Sequence, residues 1–167
     1  MKNRIITIIL VIVFCVGLSL LLYPTVSDYW NSMHQSRLIS GYADAVVQID
    51  DDQYADILNS ARAYNQELAQ EGNTWVLNEE QKKDYHNQLN IAGGVISYIE
   101  IPSIDCALPV YHGTSDAVLQ VAIGHIEGSS LPVGGESTHC VVSGHRGLPS
   151  AQLFSRLDQL VVGDVFF

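Results

Sequence analysis

Residues 93–102 read GGVISYIEIP, and this stretch divides the chain into two parts of different character. Two glycines open it. Val95 to Ile101 is rich in β-branched and aromatic side chains, the composition of a strand, and Pro102 stops it. Downstream the pattern stays strand-like. Ile104 to Tyr111 is a second strand candidate, broken by Pro109, and Ser115 can cap a short helix through Val121. A loop rich in glycine and proline runs from Gly124 to Gly135. A buried-type strand is expected over Thr138–Ser143, a short amphipathic helix over Ala151–Leu160, and a turn at Gly163-Asp164. Val165-Phe166-Phe167 begins another strand, which would ordinarily run about five or six residues. The sheet is therefore expected to be interrupted at Phe167.

Upstream the pattern is helical. Asp50, Asp51 and Asp52 suit a helix N-terminus. Ile57, Ala61, Tyr64 and Leu68 then recur at spacings of four, three and four, which is one face of a helix ending at Glu71-Gly72-Asn73. Leu38 to Val47 reads as an earlier helix. Thr74 to Asn90 is polar and charged and reads as a loop with a helical turn at most. At the N-terminus, Ile5 to Tyr23 is IITIILVIVFCVGLSLLLY, without one charge. Such a run spans about 28 Å as a helix, close to the hydrocarbon thickness of a bilayer. A cleaved signal peptide has a shorter apolar core followed by a small-x-small site. Here Leu-Leu-Leu-Tyr-Pro follows, so an uncleaved anchor is expected. The aromatic stretch from Tyr23 to Asn31 suits the outer membrane interface.

The chain has 167 residues, with 8 Lys and Arg against 18 Asp and Glu. Lys2 and Arg4 precede the apolar run, and every carboxylate follows it. Basic residues favour the cytoplasmic side, so the N-terminus is expected inside and the remainder outside. The exported part is strongly acidic, which argues against nucleic-acid or anionic-lipid binding. Of the cysteines, Cys15 lies in the apolar run. Cys106 and Cys140 can in principle pair, but their spacing fits neither a disulfide framework nor a zinc knuckle. They read as half-buried free thiols acting as small apolar residues.

Chemistry must come from few candidates. His112, His125, His139 and His145 cluster in sequence, with His34 and His86 upstream, yet no pair has the i, i+4 spacing of helical metal ligands. On an extended strand His139 and His145 stand about 20 Å apart, so no metal is expected. A cysteine nucleophile needs an imidazole in hydrogen-bond reach. Cys140 and His145 are five residues apart, on opposite faces of a strand and about 16 Å apart, although His125 or His112 can approach Cys140 from another element. Neither a nucleophile elbow nor a phosphate-cradling glycine loop is present, and no cofactor is expected. His145 ends a strand between Gly144 and Gly147 in SGHRGLP, residues 143–149. By itself this suits a turn histidine without a role as well as an accessible imidazole.

Several blocks together say more. Pro109–Ser115 reads PVYHGTS, Gly124–Gly135 reads GHIEGSSLPVGG, Ser137–Pro149 reads STHCVVSGHRGLP and Ala151–Asp158 reads AQLFSRLD, followed by Gly163-Asp164. With YPTVS at 23–27 and YIEIP at 98–102, these blocks in this order closely resemble the first half of class C sortases, the pilus-building branch. The resemblance covers nearly the whole chain. It implies a mainly β fold: a partial sortase-type β-barrel with N-terminal helices and one transmembrane helix. The implied division is a cytoplasmic tail over 1–4, an anchor over 5–23, a helical and lid-like region over 24–92, and a barrel domain over 93–167, truncated at its C-terminus.

The resemblance also implies a function. Sortases of this class are cysteine transpeptidases at the surface of Gram-positive cells. They cleave an LPXTG-type sorting signal and pass the acyl group to a pilin lysine. The family's histidine falls on His145, which would protonate the leaving amine and deprotonate the incoming one. The family's nucleophilic cysteine and oxyanion-steadying arginine lie in segments that match no residue here; Cys106, Cys140, Arg146 and Arg156 sit in other contexts. The Asp-Pro-aromatic lid motif is not found in Thr74–Asn90. Two other functions remain open: a catalytically inactive anchored module that binds a sorting signal, and a cysteine hydrolase of another kind using Cys140 or Cys106.

Overall fold

The structure, a computed structural model, describes residues 2–71 and 76–167. It opens on a single helix, α1, spanning Lys2–Gln48. The apolar run forms its first half, with its side chains exposed, and is long and apolar enough to cross a membrane. Pro24 lies inside the helix and removes one i→i−4 hydrogen bond, yet the helix runs on. The expected anchor and the expected helix at Leu38–Val47 are thus one element. Past Pro24 the helix has a face to bury. Ser27, Asn31, Gln35, Leu38, Tyr42 and Val46 recur every three or four residues and are buried or half-buried.

Helix α2, Asp51–Glu71, starts where expected. The Asp50 carboxylate accepts the Gln53 amide at 2.9 Å, which caps the first turn. Ala61, Tyr64 and Leu68 are buried and Ile57 packs beside them. The expected end at Gly72-Asn73 lies outside the described residues. Helix α3, Glu79–Asn87, replaces the expected loop. Its start is a capping box: the Asn78 side chain accepts the Glu80 and Gln81 amides, and the Gln81 side chain accepts the Asn78 amide. The polar composition hid a helix with one buried anchor, Tyr85.

The sheet begins where the sequence indicates. Strand β1, Val95–Ile101, pairs antiparallel with β2, Cys106–His112, through a 3-10 turn at Pro102–Ile104 and a left-handed Asp105. Pro109 does not break β2. It registers with Tyr98, while β3, Ile123–His125, runs parallel to Val110–His112 only, so the missing N–H falls outside that ladder. A one-turn helix, α4, Asp116–Leu119, links β2 to β3. Strand β4, Val142–Ser143, closes the order β1-β2-β3-β4. The expected buried strand over Thr138–Ser143 is thus short and only half-buried. His139 and Val141 still bond to Ser130 and Ile126, but outside the regular ladder.

Two further expectations need correction. Ala151–Leu160 forms turns and a 3-10 segment at Leu157–Gln159, not an amphipathic helix. Leu153 sits at φ 38, the left-handed region, which no α-helix accommodates. The fold is also not mainly β. Among the described residues, the helices hold far more of the chain than strands of 7, 7, 3 and 2 residues. The core joins the two parts: Ile96, Leu108, Val110 and Ile123 of the sheet meet Ala61, Tyr64 and Leu68 of α2, Tyr85 of α3, and Leu131, Leu153 and Phe154 of the loops.

Candidate functional site

His145 stands two residues past β4, with its side chain exposed. Its backbone is fixed from two sides. The Phe154 amide donates to the His145 carbonyl at 3.1 Å. The residue before it, Gly144, lies against the core. A Cβ there would sit 2.5 Å from Ile123 Cγ2 and 3.0 Å from Phe154 Cδ2. Only glycine lets the chain pass this close to β3, and the imidazole is thereby presented at the sheet's end. The loop beyond is held by the Gly147 amide donating to Ser155 Oγ at 2.8 Å and by Arg146 paired with Asp158 at 3.0 Å. That ion pair is exposed and contributes little, within about 1 kcal/mol.

The other histidines go elsewhere. His125 is fully buried in β3 and ends a polar network. Its Nε2 meets the Ser130 carbonyl at 2.8 Å, and its Nδ1 meets the Tyr85 hydroxyl at 2.9 Å. The Ser130 carbonyl only accepts, so Nε2 carries the proton and Nδ1 is left to accept from the tyrosine. The same hydroxyl accepts the Gly113 amide. Burial lowers the His125 pKa, partly offset by the Ser130 bond. Burial likewise raises that of Tyr85. Ser129 and Ser130 extend the network to the Val141 and His139 amides, and so to the chain entering β4.

His112 packs edge-on against Tyr85 at 4.8 Å and beside His86 at 5.3 Å between ring centres. Its Nε2 is buried with no hydrogen-bond partner among the described residues. Burial first, and the His86 ring second, push its pKa down to about 4. His86 lies 3.9 Å from the Glu127 carboxylate, and His139 is exposed. Among the described residues no group of three or more His, Cys, Asp or Glu is placed to hold a metal ion.

Neither thiol has the surroundings of a nucleophile. Both are free; Cys106 is half-buried as expected, whereas Cys140 is exposed. Burial pushes the Cys106 thiol up against the opposing pull of Arg156, and Asp105 adds to the rise. Local desolvation also raises that of Cys140. An activated cysteine shows the opposite shift.

Comparison with known proteins follows the same lines. The sortase domain family matches residues 99–167, which run from the last three residues of β1 through β2, β3 and β4 and include His145. The chain is similar to sortase C1 of Streptococcus agalactiae, with 50% identity and a TM-score of 0.75, covering 78% of this chain and 68% of that one. This chain belongs to the class C sortase family. The sortase is also similar to sortase C of Streptococcus pneumoniae, with 40% identity and a TM-score of 0.68 over 78% of this chain and 66% of that one. Similarity to sortase C-1 of Actinomyces oris is 41% identity at a TM-score of 0.60, covering 67% of this chain and 65% of that one. The sortase chain thus spans about two thirds of the length of these relatives. No curated protein matches.

Sequence reasoning placed His145 at the end of a buried-type strand between small residues; the structure places it two residues past the short, half-buried β4. It missed the Tyr85–His125–Ser130 network and the polar face of α1. Tyr85 in a polar stretch and His125 beside glycines gave no periodic signal. The paired serines 129 and 130 were the available hint.

Proposed function

We propose that this chain supplies the histidine of a class C sortase, a cysteine transpeptidase that joins LPXTG-type pilin subunits, with His145 as its proton donor and acceptor. The observation that carries this reading is the mounting of His145. Its backbone is pinned by Gly144 and Phe154 while its imidazole stays accessible at the end of the sheet. A catalytic acid must reach both a thiolate and a substrate amine, and a fixed backbone with an open ring suits that role. Cys106 and Cys140 are not assigned as the thiolate, because their surroundings raise their pKa values.

The reading extends to architecture and place. Glu100 and Phe167 exchange two hydrogen bonds, 3.0 and 2.9 Å, on the edge of β1 away from β2. In this reading the pair marks where a further strand would add to β1, towards a barrel over 93–167. The apolar half of α1 crosses the membrane with Lys2 and Arg4 inside and the sheet outside. Support comes from the continuity of α1 with the segment docked on the sheet, since signal cleavage after Tyr23 would cut a helix the domain uses.

The test is activity of the complete gene product on an LPXTG-type peptide with an amine acceptor. His145→Ala abolishes cleavage and joining, whereas His139→Ala, Cys106→Ala and Cys140→Ala retain them. An active His145→Ala enzyme refutes the assignment. A folded but dead Cys140→Ala enzyme relocates the nucleophile.

A further inference from the structure

We propose that the bilayer surface is the partner of the sheet's His145 end: polar side chains in the first docked turns of α1 clamp the loop Leu148–Arg156, and with it His145, at the outer edge of the headgroup layer. The proposal rests on the reading of α1 as a membrane anchor.

Three hydrogen-bonding side chains on one helix face form the clamp, and a fourth on the same face bonds elsewhere in the domain. Ser27 Oγ and Asn31 Nδ2 both donate to the Ser150 carbonyl, at 3.1 and 2.6 Å. Asp28 Oδ1 accepts the Gln152 amide at 2.6 Å. One turn further, Gln35 Nε2 donates to the Val121 carbonyl at 2.8 Å, and Gln35 is buried. The gripped loop reaches His145 directly, through the Phe154 amide on the His145 carbonyl and Ser155 Oγ on the Gly147 amide.

Helical rise converts these contacts into a height. Ser27 is four residues past Tyr23 and Asn31 is eight, about 6 and 12 Å along the axis. The carbonyl they share therefore lies about 9 Å beyond the end of the apolar run. The headgroup layer occupies about 5–8 Å on each face. No linker intervenes, because α1 is uninterrupted from Lys2 to Gln48. The opposite end of β1 is far away. Tyr42, whose hydroxyl donates to the Ile96 carbonyl, is about 28 Å beyond Tyr23 along the axis. The β1–β2 turn shares the near end, since Arg156 donates to the Ile104 carbonyl. At the same level α1 turns Val26, Tyr29 and Trp30 outward, 63%, 67% and 73% exposed. Such residues belong at a membrane interface.

The experiment uses the full chain in phosphatidylcholine nanodiscs, with Cys15, Cys106 and Cys140 changed to alanine. Single nitroxide labels are placed by Val13→Cys in the apolar run, Pro149→Cys in the clamped loop and Val47→Cys at the far end of α1. Collision rates with oxygen and with a water-soluble nickel complex report depth. The expected nickel rate at 149 lies between the low rate at 13 and the high rate at 47. Asp28→Ala with Asn31→Ala raises the rate at 149 to that at 47 and leaves 13 unchanged. Asp28→Asn, which still accepts the Gln152 amide, keeps the intermediate rate. A label at 149 as accessible as at 47, with 13 in lipid, overturns the clamp and leaves the anchor standing. A water-exposed label at 13 overturns both.

Discussion

Gly144→Ala is the most direct probe of how His145 is held. The added methyl would lie 2.5 Å from Ile123 Cγ2 and 3.0 Å from Phe154 Cδ2. Neither neighbour can retreat easily, since Ile123 is fully buried and Phe154 nearly so. The backbone at 144 is not in the left-handed region, so the cost is steric. Overpacking of this kind costs about 1–3 kcal/mol. With a urea slope of about 1–3 kcal/mol per M, a loss near 2 kcal/mol lowers the unfolding midpoint by roughly 1 M. The assay is urea unfolding of the full chain in mild detergent, followed by near-ultraviolet circular dichroism. A second substitution makes the reasoning specific. Ile123→Leu removes the Cγ2 methyl while conserving volume, at about 1.5 kcal/mol or less by itself. If the clash is as described, Gly144→Ala costs less when combined with Ile123→Leu, with a coupling above about 0.5 kcal/mol. Strict additivity, or a Gly144→Ala protein within about 0.5 kcal/mol of the parent, refutes the packing argument.

Two further outcomes follow from the buried polar groups. Tyr85→Phe leaves the Gly113 amide without its acceptor and His125 Nδ1 without its donor, and should cost about 1–3 kcal/mol in the same urea assay; an unchanged midpoint would show that water replaces the hydroxyl. His112, packed by Tyr85, His86 and His125 with Glu127 beside His86, has its pKa lowered from 6.5 to about 4. The unfolded chain therefore binds the extra proton between those values, and stability falls as pH drops from about 6.5 towards 4, by on the order of 2 kcal/mol once solvent screening of the half-buried ring is discounted. His112→Gln should flatten that part of the profile, and an unaltered slope would assign the effect to other groups.

What the sequence made legible was what local chemistry decides. Gly93-Gly94 and Pro102 bracket β1 to the residue. The spacing of Ile57, Ala61, Tyr64 and Leu68 selected the buried face of α2, because apolar contact is read from periodicity alone. Helix α3 escaped notice because Tyr85 is its one buried side chain, although Asn78 and Gln81 spell a capping box. The network around His125 was hidden for another reason. Its members come from α3, β3 and the loop to Ser130, and nothing in any one segment announces that they meet. The importance of His145 emerged from the resemblance of whole blocks, since a histidine between glycines has no pattern of its own.

The unread polar face of α1 and the absence of the helix expected over Ala151–Leu160 have one physical cause. In an α-helix beginning at Ala151, the Phe154 amide would donate to the Ser150 carbonyl, four residues back. In the structure that pair is divided. The Phe154 amide goes to the His145 carbonyl, and the Ser150 carbonyl accepts from Ser27 and Asn31. Asp28 takes the Gln152 amide as well. Each such bond is worth about 1 kcal/mol net, which is comparable to what a short helix of marginal propensity offers in return. The segment therefore yields its local structure to partners more than a hundred residues away in sequence. Amphipathic spacing cannot reveal this, because it scores side chains and the exchange concerns backbone groups. The unmade helix frees the carbonyl that α1 grips and the amide that His145 uses, so the same irregularity that defeats sequence reading ties the long helix to the histidine.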